Sequence, residues 1–421
     1  MMENTRIINL FPSGEVRIPP SKSLSHRALI CASLAALNGG GHSTLYDVGD
    51  NEDIRATMNC LSNLGVLIQK DEDVIRVYGS ERIPSKQMMN CSESGSTLRF
   101  LIPIAAIMDR EYTFTGEGRL LKRPMDLYEK LFHEKGAQFN VYRDRIVLKG
   151  PLPPSQYTIR GDVSSQFVSG LLFALPLLPG NSTITIDPPL ESIPYVKLTI
   201  NVMKHFGVHV ENKDYSLFHI KGNQSYISKE YRIEGDWSQA AFFLASGLLG
   251  CPVKCQNLSL SSAQGDMAIL EIIRNMGGEI ANDGGSIMAL PSTLSSIDID
   301  VREIPDLVPV LAVLCSLAKG RSHISGAGRL RHKESDRLSA ITAELRKLGA
   351  NIEERAEGLI IEGREFLDGG NVDAHNDHRI AMSMAVAAIK CKNPVKLTGW
   401  DSVNKSYPEF WKDFQKEARY E

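Results

Sequence analysis

Five glycines, Gly65, Gly136, Gly207, Gly277 and Gly349, recur at intervals of 71, 71, 70 and 72 residues. Each closes the same kind of phrase, a one-sided apolar helix running into a short strand: CLSNLGVLI, LFHEKGAQF, VMKHFGVHV, IIRNMGGEI and ELRKLGANI. A chain leaving a helix commonly turns through a left-handed residue, and glycine adopts that conformation without a Cβ clash. In the last phrase the apolar face is Leu338, Ile341, Leu345 and Leu348, a helical spacing.

A second helix family recurs with about the same period. Its members are SHRALICASLAALNG, TLRFLIPIAAIM, SQFVSGLLFALPLL, SQAAFFLASGLLG, DLVPVLAVLCSLAKG and DHRIAMSMAVAAI. They are apolar nearly all round and belong in a core, whereas the glycine-terminated helices expect one wet face. Short β-branched runs such as STITIDP and VIRVYGS supply strands between them. The unit therefore holds two helices and several strands, and six such units fill the 421 residues. The sixth lacks its glycine and ends in the expected helix PEFWKDFQKEA. The fold class that follows is α/β, with six units in two groups of three, and the length agrees with two or more domains.

Charge narrows the partners. A net charge of −3 and a pI near 6.4 give no global basic field, so nucleic acid is not an expected partner and any anion site must be local. The N-terminal MMENTRIINLFPSGEV lacks the apolar core of a signal peptide. The run FVSGLLFALPLLPG is interrupted by Pro176 and Pro179 and reads as a buried helix, not as a membrane span. Seven scattered cysteines, with only Cys251 and Cys255 close together, suggest reduced thiols in a cytoplasmic protein and no zinc site.

Polar signatures gather just ahead of the apolar helices. They are PPSKSLSHR with Ser21, Lys22, Ser23, Ser25 and Arg27; SESGSTLR with Ser94, Gly95, Ser96, Thr97 and Arg99; DVSSQ with Ser164, Ser165 and Gln166; and HNDHR with Asp377, His378 and Arg379. Free N–H groups and the helix dipole make helix starts sites for anions, and hydroxyls with Arg or Lys complete a phosphate or carboxylate pocket. Taken singly, each reads first as an ordinary N-cap, since Ser and Asp are preferred there. Their shared cationic, hydroxyl-rich character favours one polyanionic ligand set. The one-sided helices add Arg123, Tyr195 and Arg337, which stand 13, 12 and 12 residues before their glycines. Cations at helix starts call for a negative partner.

Other chemistries lack their motifs: there is no P-loop, no dinucleotide glycine pattern after a strand and no Gly-x-Ser-x-Gly elbow. Asp373, His375, Asp377 and His378 in DAHNDH lie close enough for a metal, but Arg379 beside them would repel a cation. His26, between Ser25 and Arg27, reads as a structural hydrogen-bonding group.

With PSKSLSHRAL, VSSQF, IPD, KESDR and NDHRIAM in this order, the chain resembles the 5-enolpyruvylshikimate-3-phosphate (EPSP) synthase family from Pro20 to the C-terminal KSYPEF. The resemblance implies a two-domain inside-out α/β barrel of βαβαββ repeats, three per domain. One domain would span 20–234; the other would combine 1–19 with 235–421, and ligands would bind in a cleft that closes around them. It also implies transfer of the enolpyruvyl group of phosphoenolpyruvate to the 5-hydroxyl of shikimate 3-phosphate. That is the sixth step of the shikimate pathway to chorismate and the aromatic amino acids. No metal or organic cofactor is implied, no membrane partner is expected, and a monomer is.

Position by position, the resemblance assigns shikimate 3-phosphate to Lys22, Ser23, Arg27, Ser164, Ser165, Gln166, Ser192, Tyr195, Asp306 and Lys333. It assigns phosphoenolpyruvate to Lys22, Gly95, Arg123, Gln166, Arg337, Arg379 and Lys405. Asp306 would be the base for the substrate hydroxyl, and Glu334 the acid that protonates the methylene carbon and later helps remove a proton. Lys22 would assist the departing phosphate. How the three divide the proton transfers is left open by the sequence. Lys333 and Arg337, four residues apart, are expected on one helical face, and Asp336 caps that helix or orients Arg337.

Two positions depart from the family's usual pattern: Glu93 and Ser96 stand where Asn and Thr are common. A carboxylate at 93 would weaken the phosphoenolpyruvate site or rearrange its cations, which leaves glyphosate sensitivity open although Gly95 keeps room for that inhibitor. Arg329, where some members use Asn, is not assigned. The sister family, UDP-N-acetylglucosamine enolpyruvyltransferase, carries a cysteine loop ahead of the arginine matching Arg123; here the loop is GEGRLLKRP, with Gly118 near the cysteine's place. A non-catalytic repeat scaffold is the remaining alternative, and it gives no reason for Asp306, Glu334 and Lys22 to collect beside so many anion-binding groups.

Overall fold

A computed structural model describes residues 5–39, 41–80, 87–108 and 110–415. Residues 1–4 and the last part of the expected C-terminal helix, 416–418, lie outside the described residues. The chain divides into two compact units, one of Pro20–Ile233 and one of Met1–Pro19 with Glu234–Glu421.

The first unit contains α1 (Lys22–Leu37), α2 (Glu52–Asn63), α3 (Gly95–Ala106), α4 (Asp126–Glu134), α5 (Ser165–Ala174) and α6 (Ile193–His205). The second contains α7 (Trp237–Leu249), α8 (Ile269–Asn275), α9 (Val308–Ser316), α10 (Arg337–Lys347), α11 (His378–Ala388) and α12 (Phe410–Phe414). The odd-numbered helices through α11 are the apolar family, and almost every residue of each is buried. In the first unit α3 packs on α5; in the second α7, α9 and α11 pack on one another. A surface apolar all round has no wet side to offer, so these helices form the middle of each unit. The sheets cover them, as alternating buried and exposed residues along strands such as Arg321–Ser325 show.

Strand order repeats as the glycine spacing does. Met88–Asn90 pairs parallel with Glu111–Thr115, which pairs antiparallel with Ile146–Lys149, which pairs antiparallel with Gln138–Val141. With α3 and α4 between them, this is one βαβαββ unit. The same order holds for Gln156–Ile159, Ser182–Ile186, Leu217–Ile220 and Glu211–Lys213, and for Asp298–Asp300, Arg321–Ser325, Gly358–Glu362 and Asn351–Arg355. Two sheets take their first strand from a distant part of their own unit. Glu230–Arg232 joins His42–Tyr46, and the N-terminal Gly14–Arg17 joins Val253–Gln256. The sixth sheet has three strands, Gly370–Asp373, Val395–Thr398 and the N-terminal Thr5–Ile8. None of these sheets closes on itself among the described residues.

All five spaced glycines are left-handed, with φ between +81° and +103°. In the last helix, Gly349 N–H donates to the Arg346 carbonyl and Ala350 N–H to that of Leu345, 2.9 Å each, which satisfies carbonyls the helix end would leave unpaired. The same pair of bonds closes α4, α6 and α8 at Gly136, Gly207 and Gly277.

Candidate active site

In the first unit the polar groups sit on helix starts. Lys22 opens α1, and its Nζ lies 2.8 Å from Asp53 Oδ2 in the first turn of α2. One turn deeper, Arg27 is buried and bonded once through each of its three nitrogens. Its Nε donates to Thr199 Oγ1 (2.8 Å), Nη1 to the Ser23 carbonyl (2.8 Å) and Nη2 to the Tyr195 carbonyl (2.9 Å). Burial pushes its guanidinium down to about 10, which leaves it charged near neutral pH. Arg27 thus ties Ser23 of α1 to Tyr195 of α6. Ser192, at a left-handed φ of +58°, precedes α6 and takes the Tyr195 N–H on its own carbonyl.

A second group converges on the start of α3. Ser94 caps it by accepting from Thr97 N–H at 3.2 Å. A Cβ on Gly95 would lie 2.8 Å from Arg123 Nη1, 3.4 Å from Arg99 Nη1 and 3.5 Å from Gln166 Oε1. Glycine at 95 therefore keeps a space edged by two guanidinium groups and an amide. Gln166 bridges the group: Arg99 Nη1 donates to its Oε1 (2.8 Å), and its Nε2 donates to Ser96 Oγ (2.9 Å). Ser164 caps α5 beneath Gln166, and Ser165 begins that helix. Glu93 is turned against Gly118, where an added Cβ would fall 2.6–2.8 Å from its carboxyl atoms.

The second unit holds the carboxylates. Asp306, in a 3₁₀ turn ahead of α9, lies between three cations: Arg337 Nη1 at 3.2 Å, Lys333 Nζ at 3.5 Å and Arg379 Nη2 at 3.0 Å. Burial works to raise its pKa. Arg379, Lys333 and Arg337 outweigh that and hold the carboxyl well below the usual range, with Glu334 opposing them. Lys333 is shifted down, chiefly by burial. Glu334 Oε2 accepts from Arg337 Nη2 at 2.6 Å. Arg337, 1% exposed, also reaches Asp377 Oδ2 through Nε at 2.9 Å. Burial alone would lower its pKa, but Asp377, Glu334 and Asp306 raise it, so it stays charged. Asp377 caps α11, and Arg379 Nη2 also donates to Ser238 Oγ at 3.0 Å. Lys405 Nζ donates to the Asn376 carbonyl at 2.7 Å.

These clusters of cations and hydroxyls, with one carboxylate shared by three cations, coincide with a match along most of the chain. A family profile described as EPSP synthase (3-phosphoshikimate 1-carboxyvinyltransferase) matches residues 12–414. The chain belongs to the EPSP synthase family. It is 46% identical to the 3-phosphoshikimate 1-carboxyvinyltransferase of Clostridium novyi over 99% of this chain and 97% of that protein. It is 48% identical to the enzyme of the same name from Clostridium kluyveri over 96% and 94%. A solved structure of EPSP synthase from Acinetobacter baumannii superposes with a TM-score of 0.80 over 99% of both chains at 24% identity, which shows the shared fold.

For this EPSP synthase family member, two details of local structure differ from the sequence reading. Lys333 is not on α10: it closes the 3₁₀ turn Gly328–His332, and α10 begins at Arg337 behind its cap Asp336. Lys333 and Arg337 meet through Asp306, not along one helical face. Arg123 likewise precedes α4, at the end of the turn Leu120–Lys122. Asp336 accepts from Ser339 N–H and from Arg331, so it caps the helix, while Arg337 is oriented by Asp377 and Glu334. In the DAHNDH segment His375 Nε2 meets Glu344 and Asp377 meets Arg337, so these side chains are committed to partners other than a metal. His26 is buried, with its pKa held well below the ordinary value by burial and then by Lys22 and Arg27; its Nδ1 bonds Thr57 Oγ1 at 2.8 Å.

Three groups went unassigned from the sequence. Asp53 looks like an ordinary acidic first-turn residue of α2, and nothing local marks it as the partner of Lys22. Arg99 stands in SESGSTLR among the helix-start cations, and its contact with Gln166 is what gives it a place in the site. Ser238 comes to Arg379 from 141 residues away.

Proposed function

We propose that the chain transfers the enolpyruvyl group of phosphoenolpyruvate to the 5-hydroxyl of shikimate 3-phosphate and releases phosphate, by addition to a tetrahedral ketal and elimination. The observation that carries this reading is Asp306, a carboxylate held by Lys333, Arg337 and Arg379 with Glu334 on the same Arg337. Substrates that each carry a carboxylate and a phosphate compete with Asp306 for those cations. As they take Lys333, Arg337 and Arg379, Asp306 loses the interactions that depress its pKa and becomes a stronger base.

Asp306 then accepts the proton of the 5-hydroxyl while its oxygen bonds to C2 of phosphoenolpyruvate. Glu334 delivers a proton to the methylene carbon, which completes the ketal. To act so it must take up a proton when substrate charge displaces it from Arg337. In the second half Glu334 removes a proton from the new methyl group, the C2–O bond to phosphate breaks, and Lys22 neutralises the leaving group. Ser23, Arg27, Ser164, Ser165, Ser192, Tyr195 and Lys333 hold shikimate 3-phosphate; Gly95, Arg123, Arg337, Arg379 and Lys405 hold phosphoenolpyruvate; Gln166 reaches both. The expectation that nucleic acid is not a partner is supported by the net charge of −3, and a cytoplasmic monomer is the arrangement proposed.

Phosphate release with both substrates tests the reading. Release that requires both ligands is expected, and none under saturating ligand sinks it. Full activity in Glu334→Ala would remove Glu334 from the proton transfers without touching the rest.

A further inference from the structure

Behind Arg337 and Asp377 lies a second charged cluster that the reaction does not use. Glu344, two turns along α10, has a side chain of zero exposure. Its carboxylate accepts three kinds of donor: Lys347 Nζ at 2.8 Å to each oxygen, His375 Nε2 at 2.6 Å, and the Asp373 backbone N–H at 2.9 Å. Two of the three belong to the segment that leads into α11. In that segment His375 and Asn376 are both left-handed, at φ +52° and +54°, an unfavourable conformation for residues with a Cβ that persists only where surroundings enforce it.

The segment matters because of what it presents. The Asn376 carbonyl takes Lys405 Nζ at 2.7 Å, and Asp377, the next residue, holds Arg337 and caps α11 ahead of Arg379. Helices α10 and α11 are therefore tied twice, by Arg337–Asp377 at the site and by Glu344 with Asp373 and His375 behind it. We infer that His375 is a positioning residue for the phosphoenolpyruvate ligands: its ring, clamped to Glu344, holds the turn that places Lys405 and Arg337. This rests on the assignment of those two residues to phosphoenolpyruvate.

The clamp carries a proton dependence. The groups facing His375 are Glu344 and Lys347 of α10 and Asp373 of its own segment. The Glu344 hydrogen bond raises the imidazole pKa, partial burial opposes it, Glu344 and Asp373 add to the rise, and Lys347 subtracts. A raised folded pKa means that the charged clamp is complete below the unfolded value, about 6.5, and is lost as pH rises through the folded value.

The test is steady-state phosphate release by the full chain, with each substrate varied in turn between about pH 6 and about pH 9, for wild type, His375→Ala and His375→Gln. His375→Ala should raise KM for phosphoenolpyruvate by about tenfold, the scale of one lost hydrogen bond to a charged group. KM for shikimate 3-phosphate should stay within about twofold. Gln keeps an N–H donor without a titrating ring, so it should restore most of the affinity yet lack the wild-type rise in KM for phosphoenolpyruvate on the alkaline side. Ionisation of phosphoenolpyruvate itself is common to all three proteins and cancels in the comparison. Equal changes in both KM values, or a His375→Gln pH profile matching wild type, would overturn the inference. Wild type that releases no phosphate would instead overturn the proposed function.

Discussion

Arg27 in the first unit and the cluster Lys333, Arg337 and Arg379 in the second are held in opposite ways, whereas Lys22 of the first meets a carboxylate and Lys405 of the second a carbonyl. In the first, Arg27 is held by neutral groups, two backbone carbonyls and a threonine hydroxyl, so its charge is fixed in place without a carboxylate partner among these bonds. In the second, Lys333, Arg337 and Arg379 are all spent on Asp306, and Arg337 also on Glu334 and Asp377. A guanidinium held by carbonyls is ready for an anion at little rearrangement. Cations held by carboxylates must exchange partners, and that exchange changes the protonation of the carboxylates. The difference separates a cation whose partners cannot titrate from cations whose partners can.

Removing the exchangeable carboxylate should have the largest effect. Asp306→Asn should lower kcat by roughly a hundredfold to ten-thousandfold, the usual contribution of a general base, measured by phosphate release. The same variant should change the acid side of stability. Because the Asp306 pKa is depressed in the folded chain, its contribution is present above about pH 3.9, the unfolded value, and is lost as pH falls through the folded one. Acid unfolding of wild type should therefore steepen below that value, and Asp306→Asn should lack this component. A variant with unchanged kcat would erase the contrast between the units.

Arg27→Ala, on the holding side, should leave the reaction's pH dependence alone. It should raise KM for shikimate 3-phosphate by roughly tenfold to a hundredfold through lost charge-assisted bonds. A kcat loss as large as that of Asp306→Asn would break the division of labour.

The smallest effect on activity belongs to the repeat glycines, where only stability should respond. Gly136→Ala meets nothing within 4 Å and should cost about 1–2 kcal/mol for its left-handed backbone alone. Gly349→Ala has a similar φ and also displaces the Asp368 carboxylate beside Arg364, so its loss should be slightly larger. Urea unfolding of the two variants checks the order.

Repeats, glycine caps and the contrast of fully apolar with one-sided helices were legible in the chain because each depends on local spacing. Helix-end geometry and burial periodicity are properties of neighbours in sequence. The motifs of the site were legible for the same reason, as residue types at helix starts. Their partnerships were not. Asp53 with Lys22, Ser238 with Arg379, and Asp306 among three cations join residues from 27 to 141 positions apart.

Sequence by itself determined that this is a six-unit α/β chain of the EPSP synthase kind, with cations and hydroxyls gathered at helix starts. Tertiary structure alone decided which of those cations are held by neutral groups and which by carboxylates. That choice is set by distances across the core, where low dielectric makes each pairing count, and no local pattern encodes it.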